Sequence, residues 1–322
     1  MAIKNPPFTL TQTILQDAMQ ISESAGNLSS ERKKASPLLR RANRIRTIRG
    51  TLAIEQNSLD LEQVTAVIDG KHVIAPPREI AEVRNAFAVY EKMQEFDPYS
   101  AESLLEAHGM MMNGLVDDAG EFRSGAVGVV DNEGRIVHMG TLPRYVPESV
   151  ERLLLWVRES ELPMLIKSCV FHYEFELIHP FTDGNGRMGR LWHTLLLSVW
   201  NPMFAWLPVE SIIHDRQQEY YRAINESNAS GESTAFLEFM LSAIKEALNE
   251  MTEKPGKTER NDTLRKRFVL DHLASHPYIV NAVLQNGLGV SPATANRILT
   301  GMVKDGTLVR VKTGKSTAYK LP

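Results

Sequence analysis

Apolar residues recur at three- and four-residue intervals through most of the first 250 positions. Pro76-Pro77 opens one such stretch, with Ile80, Val83, Phe87 and Tyr90 spaced for one helix face and proline in a first turn where its missing N–H costs nothing. Asp60 with Gln63 has the form of a capping box for a helix ending near Gly70, and Ser100 stands as the cap of a helix carrying Leu104, Leu105 and His108. Val150–Arg158, Met164–Leu177 and Leu191–Trp200 show the same period. Strand character appears once in this body. Ala126–Val130 and Arg135–Met139 flank Asp131-Asn132-Glu133-Gly134, a hairpin spacing with glycine where left-handed backbone is needed. The pattern predicts a mainly α body with one hairpin.

The pattern changes after a polar stretch, Met251–Asp262, that is broken by Pro255 and Gly256. Helical periods over Leu264–Ala274 and Val280–Leu288 precede a turn at Gly289-Val290. Ser291-Pro292 then reads as the N-cap and first residue of a third helix, which runs to about Asp305 and ends at Gly306. Two β-rich runs, Leu308–Val311 and Thr317–Leu321, follow across Gly314. This is the order of a winged helix-turn-helix domain. The expected divisions are an N-terminal helical region, 1–110, a helical core, 111–250, a linker, 251–262, and the winged-helix domain, 263–322.

Composition narrows the classes. The chain has 322 residues, 43% hydrophobic and 23% charged, with 36 Lys+Arg against 39 Asp+Glu and a net charge of −3. These are ordinary globular values and exclude collagen-like and disordered classes. A single cysteine, Cys169, excludes an internal disulfide and a Cys-rich zinc site. No apolar run approaches the roughly 18 residues that read as a membrane span, and MAIKNPPFTLTQ lacks the apolar region of a signal peptide. A cytoplasmic chain with no membrane partner is expected. Charge is uneven: from Asn261 onward nine Lys/Arg face three acids, net +6, which leaves −9 for residues 1–260. The basic tail makes DNA a candidate partner through 263–322, with Thr294, Asn296, Arg297 and Thr300 as groove-facing candidates and Lys312 and Lys315 for phosphates. Winged helices also dock proteins, and both readings stay open.

The chemistry concentrates in residues 179–190, His-Pro-Phe-Thr-Asp-Gly-Asn-Gly-Arg-Met-Gly-Arg. Gly184, Asn185 and Gly186 allow successive backbone N–H groups to converge, and such a nest at a helix amino terminus is an anion site. Arg187 and Arg190, three apart, fall on adjacent turns of one helix face, where both can reach a polyphosphate. Asp183 is a hard oxygen ligand suited to Mg²⁺ beside phosphates. His179, with an unperturbed pKa of about 6.5, suits proton abstraction from a hydroxyl at neutral pH. Two other patterns are rejected. Gly184-x-Gly186-x-x-Gly189 satisfies the dinucleotide-binding expression but follows a helical period instead of a strand. His172, Glu176 and His179 lack zinc-helix spacing, so His172 reads as packed or hydrogen-bonded.

The same twelve residues match the signature of the Fic family, HPFx[D/E]GNGRxxR, at every fixed position, and the chain resembles that family over roughly residues 40–245. The resemblance implies a helical Fic core with a β-hairpin flap, the winged helix-turn-helix tail being additional, and transfer of AMP from ATP to a Tyr, Thr or Ser hydroxyl of a target protein or of the enzyme itself. It implies His179 as general base, Asp183 as ligand of Mg²⁺ (or Mn²⁺), and Asn185 with Gly184 and Gly186 as the anion hole at the α-phosphate. Arg187 and Arg190 correspond to the arginines on the β- and γ-phosphates, and Phe181 anchors the loop. Lys in place of the second motif glycine, found in kinase-like relatives, is absent, because Gly186 stands there. Residues 120–146 correspond to the flap on which a protein substrate docks by strand addition. Tyr220 and Tyr221 match a tyrosine pair near the adenine, with a place in the core as the alternative. A homodimer is a candidate assembly in this family.

Upstream, Thr51-Leu52-Ala53-Ile54-Glu55-Gln56 resembles the family's inhibitory-helix motif, [S/T]xxxE[G/N], with Gln56 where Gly or Asn is usual. The resemblance implies that Glu55 pairs with Arg190 and prevents productive seating of the γ-phosphate. A looser helix end or a shifted register at Gln56 is open, as is a reverse, AMP-removing activity.

Overall fold

The computed structural model describes residues 5–31, 37–130, 136–252 and 265–322, apart from 267, 274, 275, 289, 291, 314 and 315. The predicted hairpin turn Asp131–Gly134, nearly all of the predicted linker, and Gly289, Ser291 and Gly314 therefore lie outside the described residues. The chain forms two compact units: one of residues 1–30 and 43–249, the other of residues 31–42 and 250–322.

In the first unit α1 (Gln12–Glu31), the later part of α2 (Pro37–Ile54), α3 (Leu61–Ile68), α4 (Pro77–Lys92) and α5 (Ala101–Met111) precede a two-stranded hairpin. Then come α6 (Val146–Glu159), α7 (Met164–Ile178), α8 (Asn185–Trp200), α9 (Val209–Asp215), α10 (Gln217–Ser230) and α11 (Thr234–Thr252). The caps form where the sequence places them. Asp60 accepts from the N–H groups of Glu62 and Gln63, while the Gln63 side chain accepts from the Asp60 N–H, closing the capping box. Ser100 Oγ accepts from the Ser103 N–H, and proline opens α4.

The centre of this unit is the pair α7 and α8, in which nearly every side chain is buried. A helix surrounded on all sides needs apolar residues all round, which explains the run Val170-Phe171 and Phe175 in α7. Helix α8 starts at Asn185, six residues before the apolar period that predicts it from Leu191. Asn185, Arg187 and Arg190 are polar yet buried, so hydropathy cannot register this first turn. At Gly50 in α2 a Cβ would lie 2.7 Å from the Glu210 backbone, so glycine lets α2 approach the start of α9.

Strands β1 (Gly128–Val130) and β2 (Ile136–Met139) pair antiparallel, Gly128 opposite Met139, with a register slip between Val129 and Val130. In the second unit, strands β3 (Ile279–Val280), β4 (Val309–Thr313) and β5 (Ser316–Lys320) form one antiparallel sheet in the order β3-β5-β4. Val280, expected to open a helix, pairs with Ala318 in this sheet instead, and the helix runs Asn281–Leu288. The next helix, Pro292–Lys304, is ended by Gly306 in a left-handed conformation (φ 80°). Its core gathers Val269, Ile279, Leu284, Leu299, Leu308 and Tyr319, with Leu38 from the start of α2 packed against it. That placement of the start of α2 carries no sequence signal. No described helix is long and apolar enough to cross a membrane.

Candidate functional site

Helix α7 ends at Ile178, and His179 caps it in a left-handed conformation (φ 51°, ψ 62°) with its N–H donating to Phe175 O at 2.9 Å. That backbone costs a non-glycine residue about 1–2 kcal/mol, so surrounding contacts must hold it. Phe181 supplies one of them. It is fully buried and stacks on the His108 ring at 3.6 Å between centroids. His108 Nδ1 accepts the Gly120 N–H at 2.9 Å, so Nε2 carries the proton and donates to Asp183 O at 3.0 Å. Burial pushes the His108 pKa down, which favours this neutral form. Asn185 braces the loop from the other side: Oδ1 accepts the Phe181 N–H at 2.9 Å and Nδ2 donates to Phe181 O at 2.8 Å. Its side chain is thereby committed to the loop, and its backbone N–H belongs to the first turn of α8.

Gly184 is the N-cap of α8, at φ 88°; it has no side chain to cap the amides that follow, and Asp183 Oδ1 accepts only its own N–H. The backbone donors there and the positive end of the helix dipole make this an anion site. Two arginines flank it, both almost wholly buried. Arg187 pairs with Asp183 Oδ1 at 2.9 Å and with Glu82 Oε1 at 3.6 Å, and its Nε has no hydrogen-bond partner. A buried donor without an acceptor is costly, so this one is suited to a ligand oxygen. Arg190 donates from Nε to Thr51 Oγ1 at 2.9 Å and from Nη2 to Thr51 O at 3.1 Å and Glu55 Oε1 at 2.6 Å. Burial opposes its charge, but Glu55, Tyr220 and Glu176 outweigh burial and hold its pKa above the ordinary arginine value. The Glu55 carboxylate fills the space that a Cβ on Gly186 would enter, directly over the amino end of α8.

Glu55 sits at the end of α2. The Asn57 N–H donates to Leu52 O and the Gln56 N–H to Ala53 O, both at 3.1 Å, which is the paired closure of a Schellman end. The residue that must turn left-handed in it is Gln56 (φ 67°). The site where the motif usually has Gly or Asn is thus the position where those residues are least strained. Gln217 Nε2 donates to Ile54 O at 2.9 Å and supports the same turn. Gln56→Gly is expected to stabilise the first unit by about 1 kcal/mol, a rise of roughly 2–4 °C in Tm by calorimetry. An unchanged or lower Tm would mean that Gln56 is not strained.

On the opposite side, His179 Nδ1 lies 3.3 Å from Glu176 O. A carbonyl only accepts, so Nδ1 holds the proton and the imidazole lone pair is on Nε2. The Glu176 carboxylate lies 3.9 Å from the same Nδ1, and burial pushes its pKa up to about 7. Asp183 bridges Gly184 N–H, Arg187 and, through Oδ2, Arg78 at 3.2 Å, and is more than a third exposed. Among the described residues no group of three or more His, Cys, Asp or Glu could hold a metal ion. One accessible carboxylate beside an anion site fits Mg²⁺, which draws most of its shell from phosphates and water. The two tyrosines part company. Tyr220 is buried, its hydroxyl 3.2 Å from His172 Nε2, whereas Tyr221 is 42% exposed and lines an open groove of about 540 Å³ with Gln218, Arg222 and Asn225. Sequence reasoning missed the site roles of His108 in α5, of Arg78 and Glu82 in α4 and of Arg123 in the loop before the hairpin, which carry no local motif.

Fold and site together define a helical protein in which a glycine-rich loop opens a buried helix, beside a histidine and under a carboxylate. The family model described as Fic/DOC matches residues 98–197. A crystal structure of a Fic family protein from Desulfovibrio desulfuricans G20 is similar over 99% of this chain and 98% of its own, at 41% identity and a TM-score of 0.75. Protein adenylyltransferase fic-1 of Caenorhabditis elegans is 32% identical over 193 residues, 55% of this chain and 35% of the relative. Protein adenylyltransferase Fic of Nematostella vectensis is 26% identical over 201 residues, 58% of this chain and 44% of the relative. The chain thus spans less than half the length of these two curated relatives. It belongs to the Fic family.

Proposed function

We propose that the protein is an adenylyltransferase that moves AMP from ATP to a Tyr, Thr or Ser hydroxyl of a protein, itself included. The observation that carries this is the folded loop His179–Arg190: a base with its lone pair on Nε2 stands beside an anion site flanked by Arg187 and Arg190. The acceptor oxygen attacks the α-phosphorus, the bond to the bridging oxygen of pyrophosphate breaks, and the hydroxyl proton passes to His179 Nε2. Backbone N–H groups of Asn185 and Gly186 hold the α-phosphate oxygens, the Gly184 N–H being engaged by Asp183, while Arg187 and Arg190 orient the β- and γ-phosphates in line with the attack. Glu176 beside Nδ1 stabilises the imidazolium that forms. Asp183 would hold Mg²⁺ (or Mn²⁺), which neutralises charge on the phosphates.

In this reading Glu55 is a brake, occupying Arg190 and the amino end of α8 so that the triphosphate cannot take the in-line pose. The hairpin within 120–146 carries the acceptor segment by strand pairing. Incubating the Glu55→Gly form with Mg²⁺, ATP and a cell lysate should leave phosphoadenosine on Tyr, Thr or Ser side chains, read by mass spectrometry. A lysate without such adducts argues against the transfer reading.

A second reading concerns the other unit, a winged helix in this account. Asn296, Arg297 and Thr300 are exposed along the helix Pro292–Lys304, as a groove-reading helix requires. A gel shift with duplex DNA should weaken steeply as salt rises, because each phosphate contact releases counterions. Absent or salt-insensitive binding favours a protein partner.

A further inference from the structure

We propose that Arg123 is a positioning residue that fastens the base of the β1–β2 hairpin to the backbone of His179, so that a segment carried on the hairpin and the imidazole keep one fixed geometry. This rests on the AMP-transfer reading. The Arg123 side chain is almost wholly buried, and among the described residues no carboxylate pairs with it. Its donors go instead to backbone carbonyls of three separate segments. Nε donates to His179 O at 2.6 Å, Nη1 to Gly125 O at 2.7 Å, and Nη2 to Thr141 O at 2.5 Å and Ile178 O at 3.3 Å. The Arg123 N–H adds a bond to Pro180 O at 3.0 Å.

These partners explain how a cation tolerates burial without an anion. Ile178 and His179 end α7, and the last carbonyls of a helix lack intrahelical donors and carry the negative end of its dipole. A planar fork of five N–H donors on three nitrogens can reach carbonyls of several segments at once, where an ammonium has only three donors radiating from one atom. The remaining two carbonyls, of Gly125 and Thr141, flank the hairpin at its base, one just before β1 and one just after β2. One side chain therefore ties both ends of the hairpin to the histidine's own peptide.

Two further contacts show how close the coupling is. The Thr141 N–H donates to Ile178 O at 3.2 Å, and the Gly140 N–H to Val127 O at 3.1 Å. At Gly140 a Cβ would lie 2.8 Å from Arg123 Nη2 and 3.2 Å from His179 Cβ, so the second arm passes directly over the histidine. His179 is also the residue held left-handed (φ 51°), and its carbonyl is the one Arg123 Nε grips. Hairpin, arginine and histidine backbone form one hydrogen-bonded unit, set apart from the arginines at the amino end of α8.

The test compares Arg123→Ala and Arg123→Lys with the parent, all in full-length protein carrying Glu55→Gly. Self-labelling from α-labelled ATP should fall on the order of 100-fold in Arg123→Ala, the cost of misplacing reacting groups by about 1 Å. Affinity for Mg²⁺-ATP by calorimetry should stay within about threefold, because the phosphate loop is untouched, and Arg123→Lys should recover part of the labelling. Hydrogen exchange should quicken about tenfold at the Gly140 and Thr141 amides and not at Met188 in α8. Unchanged labelling and exchange would overturn the proposal. So would a parallel loss of nucleotide affinity and of Met188 protection, which marks a merely structural residue. If the parent itself transfers no label, the transfer reading fails, and exchange at Gly140 and Thr141 still decides whether the fastening exists.

Discussion

Glu55→Gly should raise the rate of AMP transfer on the order of 100-fold over the unaltered chain, measured as label from α-labelled ATP appearing on protein. The ion pair sets the size of the effect. Glu55 Oε1 lies 2.6 Å from Arg190 Nη2, with Arg190 1% and Glu55 33% exposed. Breaking a buried pair is worth about 3–5 kcal/mol, and the exposure of the glutamate places this one toward the low end. About 3 kcal/mol corresponds to a shift of roughly two orders of magnitude in the fraction of sites that can seat the triphosphate productively. Glycine also removes the carboxylate from the space over Gly186, where it stands before the α8 amides. Glu55→Gln separates the two contributions, since it keeps the bulk and removes the charge. Labelling that is the same in all three forms would remove Glu55 from the role of brake.

His179→Ala, placed in the Glu55→Gly protein, should lower the maximal rate about 10²–10⁴-fold, the usual contribution of a positioned general base. Nucleotide affinity should change little, because the imidazole is assigned to the acceptor proton and not to the phosphates. The split between rate and affinity is the informative part. A histidine that only shaped the loop would lose both together, since its left-handed backbone leads directly into Phe181 and the cradle. Retained transfer would assign the base elsewhere, with Glu176 the nearest candidate at 3.9 Å from His179 Nδ1.

What could be read in the sequence followed from local physics. The Asp60 box, the Ser100 cap and the proline at the head of α4 depend on a few neighbouring residues, and each forms where the spacing puts it. The loop 179–190 was legible for the same reason, because its histidine, glycines and arginines are consecutive. The start of α8 was legible only through the loop's glycines and arginines, because its first turn is polar and buried at once, a combination hydropathy averages away. Arg123 was invisible for a deeper reason: its role comes from carbonyls at 125, 141, 178 and 179, and any residue supplies a carbonyl. Glu82 and Arg78 meet the loop only through tertiary packing of α4. Gln56 lies between these cases. Its departure from the usual Gly or Asn was visible, but the cause, a left-handed residue in a closed Schellman end, needed the backbone.

The most direct test of the central claim uses ATP labelled in turn on the α- and the γ-phosphorus, with the Glu55→Gly protein and Mg²⁺. Attack at the α-phosphorus predicts that label from the first nucleotide is retained on protein and that label from the second leaves with pyrophosphate. Retention of the γ label, or label from neither, would contradict it.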